Sequence, residues 1–95
     1  MGLNESEIAA RLSALPHWTR AGDAIERQYT FPAFPDAIAF VTRLGFSAEG
    51  ADHHPDLAIS YRRVTVRWTT HSAHGLTDKD FAGAAESDRI AAGCG

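Results

Sequence analysis

Apolar positions along the chain switch between helical and strand spacing four times, and with the two turns between paired strands this divides it into seven segments. Ile8, Leu12 and Leu15 recur at helical intervals. Asn4 stands where a side chain caps free amides, Glu7 can reach back from the third helical position, and Leu3 and Ile8 take the flanking places of a hydrophobic staple. Pro16 stops this first helix. Two short strands, about 17–20 and 24–31, follow on either side of Ala21-Gly22-Asp23, whose Gly22 and Asp23 suit a turn. Pro35 and Asp36 then open a second helix, with Ala37, Phe40, Val41, Leu44 and Ala48 on one face; it should run to about Glu49, with Gly50 as its exit.

Strict alternation returns in two further strands, about 57–61 and 64–71. In the second, Val64, Val66 and Trp68 share one face, and Thr65, Arg67, Thr69 and His71 the other. The turn near Arg62 contains no Gly, Asn or Asp, so its geometry is not specified by residue type. Thr77 caps the last helix, with Asp80 at its third position, Leu76 stapled to Phe81, and Phe81, Ala84 and Ala85 as the buried side. The order α-β-β-α-β-β-α implies an α+β fold: a four-stranded antiparallel sheet with helices packed on one face. The open sheet has edges, and edge pairing in a homodimer is one way to protect them.

Composition narrows the function without naming it. Residues 1–95 suffice for a single domain, and the formal charge of −3 lacks the basic excess a nucleic-acid binder needs. Arg62, Arg63 and Arg67 are the one local basic cluster and read as a solvated strand face. No apolar run approaches the ~20 residues of a membrane span. The segment Met1–Ala10 does not read as a secretory signal, so the cytoplasm is the expected location. The single cysteine, Cys94, reads as an inert thiol.

Candidate chemistry is concentrated between Glu49 and Asp80. In that interval stand Asp52-His53-His54-Pro55, Tyr61 and His71, so three of the chain's five histidines join one pattern flanked by carboxylates. Histidine alone changes charge near neutral pH when unperturbed, which suits it to moving protons. Adjacent histidines cannot both point the same way in an extended chain, so a bend must aim one of them, and Pro55 restricts the residue before it.

These residues resemble the pterin-4a-carbinolamine dehydratases. The likeness rests on Glu49-Gly-Ala-Asp52-His53-His54-Pro55, Tyr61, Thr70-His71 and Gly75-Leu76-Thr77 through Asp80. Upstream it extends to Trp18, Gly22-Asp23-Ala24-Ile25, Phe31 and Phe40-Val41-Thr42-Arg43, nearly the whole chain after the first helix. The resemblance implies a lyase that converts a 4a-hydroxytetrahydropterin to quinonoid dihydropterin and water, recycling the pterin cofactor of aromatic amino-acid hydroxylases. It implies no cofactor and no metal. Carried over by position, His53 and His71 would be the acid/base pair, and His54 would chiefly hold substrate at the catalytic site. Glu49, Asp52 and Asp80 would support the imidazoles. Pro55, Thr69, Thr70, Ser72 and Trp18 would contribute to substrate binding, with Trp18 equally open to a core reading. A homodimer is implied, with further pairing into a tetramer left open.

Two residues depart from the family pattern. Leu57 stands where animal members typically carry tryptophan, and Lys79 replaces an arginine beside Asp80, a point charge for a planar fork. His17 and His74 fit no motif and read as surface or packing residues. Two rival functions have sequence support. Animal members of the family also act as dimerisation cofactors of a homeodomain transcription factor, which allows a non-catalytic interaction module. Three imidazoles could instead hold zinc, although adjacent histidines are awkward ligands and no metal-binding spacing is present.

Overall fold

The computed structural model describes residues 2–94. Its elements are α1 (Glu5–Ser13), β1 (Thr19–Ala21), β2 (Ala24–Thr30), α2 (Phe34–Ala51), β3 (Asp56–Ser60), β4 (Arg63–Trp68), a 3-10 turn (His71–Ala73) and α3 (Asp78–Ala92). The four strands form one antiparallel sheet in the order β1-β2-β4-β3. This is the expected α+β architecture.

Pleating decides which side of the sheet the helices cover. Val64, Val66 and Trp68 of β4 are buried, as are their cross-strand partners Tyr29 and Ile25 in β2. Phe40, Leu44 and Ala48 of α2 and Phe81, Ala84 and Ile90 of α3 belong to the same core cluster. Burying a side chain of this size contributes roughly 1.5–3 kcal/mol, so this face supplies the main driving force for folding. Leu57 packs against the core from β3. At α1 the capping box forms in full: Asn4 Oδ1 accepts from the Glu7 amide at 2.8 Å, and Glu7 Oε1 accepts from the Asn4 amide at 2.9 Å. An Arg11–Asp78 ion pair ties α1 to the first turn of α3.

Several boundaries differ from the sequence reading, beginning with β1, which runs Thr19–Ala21 rather than about 17–20. Helix α2 continues through Gly50 to Ala51, and Asp52, rather than glycine, adopts the left-handed conformation that ends it (φ 51°, ψ 41°). Strand β4 ends at Trp68, not near His71, because Thr70 turns inward and bridges to Gly75 while His71 begins the 3-10 turn. The β3–β4 hairpin is closed by two residues, Tyr61 and Arg62, between the paired Ser60 and Arg63. Tyr61 takes φ 55° there, a left-handed conformation that costs a side-chain-bearing residue on the order of 1 kcal/mol.

Away from the histidines, Asp88 of α3 gathers three donors. Trp18 Nε1 approaches at 3.0 Å, the Arg27 guanidinium at 2.8 Å and the Tyr29 hydroxyl at 2.5 Å. Burial, reinforced by the Asp88 carboxylate, holds the Tyr29 phenol above its ordinary pKa range. This cluster fastens α3 to β2.

Candidate active site

The left-handed Asp52 determines how the two adjacent histidines diverge. Its conformation folds the chain back over the end of α2, so that the His53 amide donates to Ala48 O at 3.1 Å. His53 is thereby drawn under the helix, with 14% of its side chain exposed, whereas His54 is 58% exposed. The bend inferred at His54 from the His-His-Pro sequence is therefore made two residues earlier, by Asp52.

Each imidazole meets a carboxylate through Nε2, in very different surroundings. His53 Nε2 lies 2.6 Å from Asp80 Oδ1, and Asp80 is completely buried. His54 Nε2 lies 2.7 Å from Glu49 Oε1, a carboxylate with 79% of its side chain exposed. Asp80 occupies the third position of α3, where its Oδ2 accepts from the Thr77 amide at 2.9 Å and from the Thr70 hydroxyl at 2.7 Å. One buried carboxylate thus starts a helix, anchors the loop after β4 and orients His53.

This hydrogen-bond inventory assigns the His53 tautomer. An ionised carboxylate only accepts, and Oδ2 already has two donors, so Oδ1 takes the proton-bearing nitrogen of the ring. The neutral imidazole then carries its hydrogen on Nε2 and its lone pair on Nδ1. His53 is also stacked on Trp68, with ring centroids 5.4 Å apart and planes at 19°.

A concavity of about 280 Å³ is lined by Asp52, His53, His54, Thr69, Thr70, His71 and Ser72. The structure therefore brings all three motif histidines to one place, although they come from a helix exit and a 3-10 turn. His71 is exposed at the start of that turn. Thr69 and Thr70 line the wall, but their hydroxyls donate within the protein, to Asp23 O at 2.5 Å and to Asp80 Oδ2 respectively. Trp18 lies elsewhere: it is buried, and its indole N–H is bound by Asp88 rather than turned toward this concavity. The isolated Asp88 had no motif around it in the sequence. A second, largely apolar cavity of about 310 Å³ lies between α2 and α3, is lined in part by Trp68, and shares His53 with the site.

Comparisons with known proteins point to one family. The family model described as Pterin 4 alpha carbinolamine dehydratase matches residues 1–90. A protein of Roseiflexus castenholzii, provisionally named pterin-4-alpha-carbinolamine dehydratase, is 51% identical over 93% of this chain and 95% of its own. A Picosynechococcus protein with the same provisional name is 49% identical over 93% and 96% of the two chains. Among solved structures, a transcriptional coactivator/pterin dehydratase from Brucella melitensis superposes with a TM-score of 0.92 at 36% identity, covering 96% of this chain and 99% of that one. A pterin dehydratase-like protein identified as a RuBisCO assembly factor shares the fold alone, at 17% identity and a TM-score of 0.65.

Proposed function

The chain belongs to the pterin-4a-carbinolamine dehydratase family, and from that premise we propose that it dehydrates a 4a-hydroxytetrahydropterin by histidine acid/base catalysis. In this reaction the C4a–O bond breaks as the hydroxyl gains a proton and leaves as water. The N5 lone pair supplies the electrons for the new double bond, and N5 loses its proton. One donor and one acceptor near neutrality suffice, and such groups contribute typically 10²–10⁴-fold.

The convergence of His53, His54 and His71 on one concavity carries the reading. His53, with Nε2 held by Asp80, offers Nδ1 as the proton-exchanging atom. His71, carried by the 3-10 turn, is its counterpart, and His54 holds substrate. The product would be the quinonoid dihydropterin that an aromatic amino-acid hydroxylase system must reduce again. Stopped-flow absorbance of 4a-hydroxytetrahydropterin decay tests the proposal. The parent should accelerate decay, and a folded His53→Ala/His71→Ala double variant should approach the uncatalysed rate. A folded double variant that retains most of the activity would remove catalysis from this constellation.

We also propose that the chain works as a homodimer. Strand β3 pairs only with β4 and leaves its other edge open, and exposed Ile59 on β3 and Phe34 and Ile38 on α2 add apolar surface. Sedimentation at micromolar concentration should give twice the chain mass. A monomer at every concentration would refute the pairing and leave the chemistry untouched.

A further inference from the structure

We infer that Trp68 is a positioning residue for His53, a role that rests on the acid/base reading of that histidine. The Asp80 bond fixes where Nε2 sits but leaves the imidazole free to pivot about the Nε2···Oδ1 line. The stacked indole face removes that pivot, and with it the freedom of Nδ1 to wander from the reacting atoms. A flat aromatic face also accommodates both charge states, because an imidazolium above an indole is attracted by the ring's negative face.

The surroundings of Trp68 are built to fix its ring as well as to fill space. Its Nε1 donates to Ser87 Oγ at 3.1 Å, and Ser87 Oγ donates to Gly83 O at 2.8 Å, with Ser87 fully buried. A β-carbon on Gly83 would lie 2.7–2.8 Å from three atoms of the indole. Glycine is a poor residue for the interior of a helix, and its absent side chain is what lets the indole lie against α3. His53 thus rests on Trp68, which is held in turn by Ser87 and Gly83.

The test measures turnover of Trp68→Leu and Trp68→Phe in the parent and in a His53→Ala background, with folding followed by circular dichroism. If Trp68 acts through His53, Trp68→Leu should lower kcat about tenfold with KM changed less than about twofold, as loss of orientation predicts. Trp68→Phe, which keeps a flat face, should recover most of that loss. In the His53→Ala background the leucine change should alter kcat by less than about twofold, because coupled residues are non-additive. Equal losses in both backgrounds would overturn the inference.

Nitrogen NMR of the His53 ring supplies an independent readout. The parent should show one sharp set of ring signals, and Trp68→Leu broadened and shifted ring signals with the Nε2–H tautomer kept by Asp80; ring signals unchanged in position and width also overturn the inference. Should Trp68→Leu not fold, Trp68→Phe and Gly83→Ala carry the same test, the latter by pushing the indole from its place. Should His53→Ala keep full turnover, the acid/base reading falls, and the ring spectra still decide whether Trp68 positions the imidazole.

Discussion

His53 and His54 are chemically identical neighbours, and the difference between them lies entirely in their surroundings. His53 is held by a fully buried carboxylate that has two further donors, and its ring face lies on an indole. His54 is held by a carboxylate that water also reaches. Water can replace the donor at an exposed carboxylate, whereas leaving a buried acceptor without its donor costs roughly 1–3 kcal/mol, more when it is charged. Bonds of nearly equal length, 2.6 and 2.7 Å, therefore represent a fixed tautomer in one case and a loose tether in the other.

The largest separation between the two should come from Asp80→Asn. Oδ2 is the atom that accepts from Thr77 and Thr70, so the amide oxygen should take that side and present its NH₂ to His53. Nε2 must then accept, the ring hydrogen moves to Nδ1, and turnover should fall by on the order of 10²-fold, within the range for loss of a general acid/base. Stopped-flow kinetics and urea unfolding together read the chemical and the structural parts; turnover within threefold of the parent would show that the tautomer is immaterial.

The same manipulation of the exposed pair should do little. His54→Ala should raise KM several-fold with kcat nearly unchanged, and Glu49→Gln should change either constant by less than about twofold, in keeping with a solvent-screened pair. Steady-state constants for both variants check this. A kcat loss in Glu49→Gln as large as that in Asp80→Asn would erase the distinction drawn here.

Much of the architecture was legible before any coordinates. The capping box at Asn4 and Glu7 and the alternation of Val64, Val66 and Trp68 are local signals, and the structure keeps both. Boundaries were lost where tertiary bonds override local pattern. Alternation of burial continues past Trp68 through Thr70 and His71, but the strand ends because Thr70 bridges to Gly75 instead of pairing in the sheet. Gly50 looked like a helix exit, yet the left-handed position falls on Asp52.

At the candidate site, residue type and spacing single out the motif histidines, and the structure brings them to one concavity. What the sequence concealed was which of them is buried, since that depends on one backbone angle at Asp52. It also concealed the stack on Trp68, which reads as ordinary strand core. Gly83, a glycine inside a helical pattern, was the available hint that something packs closely there. Trp18 is open to two readings in the sequence, site aromatic or core; the structure buries it, with its indole bonded to Asp88, 70 residues away.

The triple duty of Asp80 joins the chemistry to the integrity of a helix end. Its two oxygens close the first turn of α3 and orient the imidazole, so fraying of that turn and misalignment of His53 are one event. Helix ends open at lower free energies than the sheet they rest on. Warming should therefore silence the site while β2 and β4 are still paired, so that inactivation reports the opening of one turn rather than the melting of the domain.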